Sequence, residues 1–126
     1  MRRLLDTNVW IDTMSAEPAA ARALLVAIAD EWCGYSAMTR LEVLSYSLLT
    51  PPDIADWRTL LASAAEVPIG SAVIEEAARL RRTVRMKTPD AIIAATALLE
   101  NATLVTRNLD DFRRVPGLAA IEPSSV

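Results

Sequence analysis

The length, composition and charge of the chain already restrict its fold and its chemistry. Its 126 residues are 52% hydrophobic and 23% charged, which is typical of a globular chain, so we expect one domain over residues 1–126. The net charge of −3 gives no basic footprint for bulk electrostatic binding of nucleic acid. The absence of histidine excludes Ser-His-Asp and Cys-His catalysis and His-ligated zinc. Acid–base chemistry would therefore rest on carboxylates, lysine, tyrosine or metal-bound water.

Cysteine usage and hydropathy indicate a compartment. The single cysteine, Cys33, cannot form an internal disulfide and suits a reducing environment. Asp6 and Asp12 interrupt the apolar N-terminal stretch, so it does not resemble a signal peptide. No run approaches the about 18 apolar residues that a membrane span requires. We expect a cytoplasmic protein that does not enter a membrane.

Short apolar strands alternate with helices along the chain. A turn at residues 7–8 leads into a first helix, and Pro18 suits the first position of the next one. Thr39 is predicted to cap the third helix of the chain. Strands are predicted at residues 4–5, 33–36, 67–69, 103–106 and 120–121, longer helices at residues 19–29, 39–49, 54–64, 71–84 and 88–99, and a short helix near residues 110–114. This alternation predicts the α/β class, with a parallel sheet covered by helices on both faces.

Three acidic residues occupy related positions in this pattern. Asp6, Glu42 and Asp90 each follow a strand or loop, at the first turn of a predicted helix. In an open parallel sheet, such positions converge on one edge, where ligands bind. Several ionised carboxylates at one place repel one another unless a cation lies between them. Oxygen ligands without histidine or cysteine suit Mg²⁺ or Mn²⁺.

Each of these acids also has a purely structural interpretation. Residues 6–8 can form a simple turn, and Thr39 with Glu42 fits the spacing of a capping box. Asp90 can complement a helix dipole. For any one acid taken singly, the two interpretations are equally supported.

Four segments together resemble the PIN-domain nucleases. They are LDTNVWID at residues 5–12, SAMTRLE at residues 36–42, PDAIIAATA at residues 89–97 and LVTRNLDDF at residues 104–112. Their order and spacing match the family from residue 5 to about residue 122. The third segment and the small size are similar to the VapC-type toxins of bacterial toxin–antitoxin pairs.

The resemblance implies a fold, an activity and partners. The fold would be a three-layer α/β/α sandwich with a short central parallel sheet. The activity would be Mg²⁺- or Mn²⁺-dependent cleavage of RNA, inhibited by a small cognate antitoxin. Metal coordination falls to Asp6, Glu42 and Asp90, with Thr7 and Asn8 orienting the site and Thr106 and Asn108 supporting it. A homodimer is expected from the resemblance, and the apolar fraction is high enough to supply an interface.

The last segment departs from the family pattern at its acidic position. Where the family often has a fourth acid, this chain has Asn108, close behind Thr106. Asp111 is the acid that can take that role, while Asn108 can orient water but supplies no charge. Whether the site holds one ion or two, and which of these residues completes it, stays open at this point.

Basic residues near two of the segments are candidates for phosphate contacts. Arg85 and Lys87 precede Asp90, and Arg107 lies in the last segment. The alternative for most of the basic residues at 79–87 is a solvated helix face, which the low isoelectric point favours. The three tryptophans are expected to pack rather than to stack on bases.

Two other functions remain to be weighed against a toxin nuclease. One is a non-catalytic PIN-fold scaffold or RNA-binding module, which Asn108 keeps open and the three acids oppose. The other is a phosphatase that is phosphorylated on an aspartate after the first strand. That chemistry needs a lysine and a second acid near Asp6, but Lys87 is the only lysine and Asn8 stands where such an acid often lies.

Overall fold

A five-stranded parallel sheet forms the centre of the computed structural model, which describes residues 1–126. The strand order is β3-β2-β1-β4-β5, and all neighbours are parallel. The first strand therefore lies in the middle of the sheet. The second and third strands extend the sheet on one side, and the fourth and fifth extend it on the other. The strands are β1 Arg2–Leu5, β2 Trp32–Ser36, β3 Ala65–Val67, β4 Thr103–Val105 and β5 Ala120–Ile121.

Seven α-helices and a short 3₁₀ helix at Pro123–Ser125 connect and cover the strands. The α-helices are α1 Thr7–Met14, α2 Pro18–Ala29, α3 Ala37–Val43, α4 Pro51–Leu61, α5 Ser71–Val84, α6 Thr88–Leu99 and α7 Leu109–Phe112. None of them combines the length and apolar character needed to cross a membrane.

Two hydrophobic cores lie on the opposite faces of the sheet. Successive side chains of a strand point to opposite faces, so Leu4 and Leu5 belong to different cores. Leu4 packs with α5 and α6, whereas Leu5 packs with α1, α2 and α4. The expected three-layer α/β/α fold is confirmed. Helix α6 is largely buried, since Ala91 and residues 93–97 are buried, whereas Leu99 at its end is exposed.

The prediction for the third helix was wrong at both ends. The helix begins at Ala37, because Ser36 at the end of β2 caps it by accepting a hydrogen bond from the Met38 N–H at 3.1 Å. Thr39 therefore lies inside the helix and does not cap it. The helix ends at Val43 rather than residue 49. Serines in the segment that follows compete with the backbone for hydrogen bonds, and the Ser45 hydroxyl donates to the Leu41 carbonyl.

Smaller differences arise from local capping. Helix α4 begins at Pro51 instead of residue 54, because Thr50 and Asp53 form a capping box with bonds of 3.3 and 2.9 Å. Helix α6 has Lys87 as its N-cap residue and begins at Thr88, as predicted. Strand β3 covers Ala65–Val67 rather than residues 67–69.

The tryptophans pack as expected. Trp10 is fully buried, donates to the Leu5 carbonyl at 3.2 Å and meets Tyr35 edge to face. Trp57 is also buried. The guanidinium of Arg2 lies 4.4 Å from the ring centre of Trp32, and that ring covers Gly34 so closely that a Cβ there would lie 2.1 Å away. Neither Trp10 nor Trp57 is accessible to a base.

Candidate active site

The candidate site lies where the direction of strand addition reverses, between β1 and β4. Asp6 directly follows β1, and Thr106 directly follows β4. The Asp6 N–H donates to the Val105 carbonyl at 2.9 Å, so the two strand ends remain joined. Ligands of open α/β sheets bind at such a reversal, outside the carboxyl ends of the strands.

Asp6 is the most buried acid of the site, with 5% of its surface exposed. Its Oδ1 accepts from the Thr7 N–H at 2.8 Å, and its Oδ2 accepts from Thr106 Oγ1 at 2.8 Å and Asn8 Nδ2 at 3.2 Å. Burial raises the pKa of Asp6 to about 6 from 3.8, although these bonds from Thr106 and Thr7 lower it. The charges of Asp90 and Glu42 raise that pKa further. Burial thus disfavours the ionised form of Asp6, while its hydrogen bonds hold the carboxylate in place.

Glu42 lies in the last turn of α3, so the expectation that it starts a helix was wrong. It does not form a capping box with Thr39 either. Its Oε1 accepts from Thr7 Oγ1 at 2.7 Å, and Thr7 Oγ1 also contacts Thr39 Oγ1 at 2.9 Å. This bond ties α3 to the start of α1. Thr39 thus belongs to the hydrogen-bond network of the site, whereas the sequence predicted it only as a helix cap. Its spacing from Glu42 could have indicated this role, because residues three apart lie on one face of a helix.

Asp90 is half-buried in the first turn of α6 and faces Asp111. The two carboxylates line a cavity of about 160 Å³ together with Arg85, Met86, Lys87 and Arg114. Burial raises the pKa of Asp90, the charges of Asp111 and Glu42 add to this effect, and Lys87 opposes it. The carboxylate of Asp90 therefore interacts with the charges of Asp111 in α7 and Glu42 in α3.

The two candidates for the fourth position have different surroundings. The Asn108 N–H donates to Thr106 Oγ1 at 3.0 Å, but the Asn108 side chain makes no hydrogen bond to any of the acids. Exposed Asp111 shares the cavity with Asp90 and also borders a neighbouring cavity of about 300 Å³. Asp110 points to solvent and pairs with Arg113 at 3.4 Å.

The three predicted phosphate-contacting residues have different surroundings. Arg85 and Lys87 are exposed at the cavity of Asp90. Arg107 forms an ion pair with Asp12 at 2.9 Å, which partly compensates its charge.

The donor set suits a hard divalent cation. No three acidic or cysteine side chains converge closely enough in this conformation to form a ready-made metal cage. The available donors are carboxylate oxygens, and three hydrogen bonds leave Asp6 about one free acceptor position. Mutual repulsion among the carboxylates is the property that a bound cation would relieve. The chemistry of these residues therefore fits Mg²⁺ or Mn²⁺.

Comparison with known proteins identifies the family. The chain matches the PIN domain over residues 3–118. The chain belongs to the PIN-domain family. The resemblance of the four sequence segments is thereby confirmed.

Solved structures of similar shape include a toxin–antitoxin complex. A toxin–antitoxin complex from Klebsiella pneumoniae is 31% identical, with 96% of this chain and 97% of that chain covered and a TM-score of 0.81. VapBC2 from Rickettsia felis, bound to a promoter DNA fragment, is 20% identical, with coverage of 97% and 98% and a TM-score of 0.84. FitAcB from Neisseria gonorrhoeae is 24% identical, with coverage of 98% and 99% and a TM-score of 0.74. The last two support the fold alone. No curated protein matches the chain.

Replacing Asp6 by asparagine should stabilise the metal-free PIN domain at neutral pH. The pKa of about 6 means that folding buries an unfavourable charge above that pH, and the penalty fades as the pH falls from 6 towards 3.8. We expect Asp6→Asn to raise Tm at pH 7.5 in EDTA by roughly 3–5 °C, about the shift that 1 kcal/mol produces in a domain of this size. Thermal melts between pH 4.5 and 7.5 measure it.

Exposed Asp56 provides the matched control, since Asp56→Asn removes the same charge without burial. Its Tm should follow that of the wild type throughout. A stabilisation by Asp6→Asn that stays constant across this pH range would contradict the assignment of the gain to the buried charge.

Proposed function

We propose that this PIN domain is a Mg²⁺- or Mn²⁺-dependent endoribonuclease that acts as the toxin of a toxin–antitoxin pair. PIN domains are nuclease domains, and the chain carries acids at the reversal point of the sheet. The observation that supports the proposal most is the electrostatic coupling of Asp6, Glu42 and Asp90, which reach the site from three different elements. A scaffold without catalysis has no use for repelling carboxylates at this place.

In this proposal Asp6, Glu42 and Asp90 hold the cation. When bound, Mg²⁺ or Mn²⁺ supplies positive charge for the phosphodiester and lowers the pKa of a water molecule. Thr106 and Asn8 fix Oδ2 of Asp6 by their hydrogen bonds, and Thr7 fixes Glu42. The chain thus orients its ligands through short polar side chains, as metal-site carboxylates generally require.

Asp111 is proposed as the fourth acid of the site. It shares a cavity with Asp90 and raises the pKa of that carboxyl, whereas the Asn108 side chain has no bond to the acids. Because Asp111 is exposed, it orients groups at the solvent side instead of anchoring the ion. Asn108 then serves the backbone turn after β4.

The positive side chains at the same cavity are proposed to contact RNA phosphates. Arg85 and Lys87 border Asp90, so a phosphate placed beside the acids lies within their reach. Arg107 is a weaker candidate, because its ion pair with Asp12 must open before it contacts the substrate. Local cations of this kind bind RNA without requiring a positive net charge.

A cognate antitoxin and a second copy of the chain are the proposed protein partners. The similar Klebsiella pneumoniae structure is a toxin–antitoxin complex. Large apolar side chains are exposed on this chain, including Leu25 at 70%, Leu41 at 60%, Tyr46 at 56% and Leu48 at 91%. Exposed apolar patches are typical of interfaces, and Leu41, Tyr46 and Leu48 lie within one short segment of the chain. The antitoxin tail is proposed to reach the acids with an arginine.

Loss of a metal ligand should abolish RNA cleavage without unfolding the chain. We expect Asp6→Asn and Asp90→Asn to be inactive on RNA with Mn²⁺ or Mg²⁺, because each removes a charged ligand. Both variants should remain folded, because each substitution also relieves repulsion between the acids. EDTA should abolish the wild-type activity. Gel-based cleavage of RNA and of DNA of the same sequence, together with melting curves, measures these effects.

Asp56→Asn is the control and should cleave at the wild-type rate. Cleavage that persists in excess EDTA, or in both ligand variants, would rule out the metal mechanism. Hydrolysis of a small phosphate ester with RNA left intact would favour the phosphatase, and a folded wild type without any activity would favour the scaffold.

The neighbouring acids of α7 give a matched pair for the fourth position. Asp111→Asn should lower the cleavage rate by roughly 10- to 100-fold, the usual range for a group that supports a metal ligand. Asp110→Asn should leave the rate unchanged, since the Asp110 side chain is exposed to solvent and pairs with Arg113. Rate and Tm are measured for both variants. If Asp111→Asn cuts RNA as fast as the wild type, Asp111 is not part of the site.

Co-expression with the product of the reading frame next to its gene should yield a stable complex. Masking of the apolar surface and of the acids by the antitoxin should also suppress RNA cleavage. Light scattering of the isolated chain should give the mass of a dimer. A strict monomer at high micromolar concentration would contradict the dimer, and absence of a complex would contradict the antitoxin.

A further inference from the structure

Thr39 is a fully buried polar residue beside the site. It lies three residues before Glu42 in α3, so both side chains occupy one face of that helix. The structure gives the Thr39 hydroxyl one hydrogen-bond partner, Thr7 Oγ1 at 2.9 Å. Thr7 Oγ1 in turn donates to Glu42 Oε1 at 2.7 Å. Thr39 therefore contacts the acid only through Thr7.

This arrangement differs from that of other threonines in the helices of this chain. Their hydroxyls donate to the backbone carbonyl four residues earlier, which is the usual arrangement inside a helix. The threonines that do so are Thr13, Thr59, Thr83 and Thr96. Thr39 instead bonds to a different helix, 32 residues away in the chain. Its hydroxyl is therefore not engaged in the local helix.

Counting protons fixes the direction of the bonds. A threonine hydroxyl has one proton, and Thr7 directs its proton to Glu42. An ionised carboxylate has no proton to return. Thr39 must therefore be the donor to Thr7, and the chain of bonds runs from Thr39 through Thr7 to Glu42. Successive hydrogen bonds of this kind polarise and strengthen one another.

We propose that Thr39 is a positioning residue that acts through Thr7 to hold Glu42 in the orientation needed to bind a divalent cation. This inference rests on the proposed metal-dependent function. Thr39 touches neither the cation nor the substrate. Its donated bond fixes the Thr7 hydroxyl and strengthens the bond that Thr7 makes to Glu42.

Packing alone does not explain why residue 39 carries a hydroxyl. Valine has nearly the shape of threonine, and a buried hydroxyl is costly unless it is hydrogen-bonded. Replacing Thr39 by valine leaves Thr7 free to donate to Glu42 and leaves no buried donor without a partner. The free energy of unfolding should therefore change little, and stability and cation binding can be separated.

The test is a calorimetric titration of the full chain with Mn²⁺. We expect Thr39→Val to weaken Mn²⁺ binding about 3- to 10-fold, less than the 10- to 100-fold that loss of a direct partner of a ligand produces. Thr39→Ser keeps the donor and should restore the wild-type affinity. Thr96→Val, an equally buried threonine that bonds only within α6, should bind as the wild type does.

A second arm identifies the route. In a Glu42→Gln background, titrated over a wider Mn²⁺ range, adding Thr39→Val should cause no further loss, because the group that Thr39 positions has been altered. The inference is overturned if Thr39→Val binds Mn²⁺ like the wild type, if Thr39→Ser fails to restore binding, or if Thr96→Val weakens binding equally. It is also overturned if Thr39→Val lowers affinity by the same factor in the Glu42→Gln background.

The outcomes separate this inference from the proposed function. A wild-type chain that binds no Mn²⁺ would remove the metal-dependent function and the inference together. Normal Mn²⁺ binding by both the wild type and Thr39→Val would remove the inference alone. A chain that binds Mn²⁺ but cleaves DNA rather than RNA would change the proposed substrate and leave the role of Thr39 intact.

Discussion

The burial of Asp6 between the ends of β1 and β4 is the constraint on which the rest of the site depends. Its two carboxylate oxygens receive bonds from a backbone N–H, a hydroxyl and an amide, all carried by segments that the sheet fixes. The carboxylate therefore cannot turn away from Asp90 and Glu42 to reduce repulsion. Burial is the main reason for its raised pKa, and the charges of Asp90 and Glu42 add to it. A bound cation relieves this repulsion in the proposed function, so the fold prepares a site whose charges require a partner.

The other acids are held with decreasing firmness away from the sheet. Glu42 and Asp90 are half-buried and belong to helices on opposite faces, whereas Asp111 is exposed on a short helix. A site of this kind is rigid where a cation needs fixed ligands and open where a large substrate must approach. The fold thus holds Asp6 most firmly at the strand ends and Glu42 through Thr7, and it leaves Asp111 exposed to solvent.

Local patterns explain why most of the fold could be predicted from the sequence, and long-range contacts explain what was missed. Apolar runs and prolines indicated the strands and the starts of α2 and α6, because these signals act within a few residues. Helix α3 was misjudged because Ser36 and Thr39 offer competing caps, and the choice depends on where β2 ends. The partner of Glu42 is Thr7, 35 residues earlier, so no local spacing reveals it. The preference for Asp111 over Asn108 likewise depends on a cavity formed with α6.

The turn between α5 and α6 shows how a chain of negative net charge can present positively charged side chains to an anionic substrate. Arg85 adopts the left-handed conformation, with φ of 61°, which costs an L-residue about 1–2 kcal/mol. The turn is held from both sides, since Arg114 donates to the Val84 carbonyl at 2.9 Å and Arg81 to the Met86 carbonyl at 3.3 Å. Arg85 and Lys87 are therefore held beside Asp90 before any substrate arrives. The net charge of −3 then limits nonspecific attraction, while the positive charge that matters is concentrated where the proposed cleavage occurs.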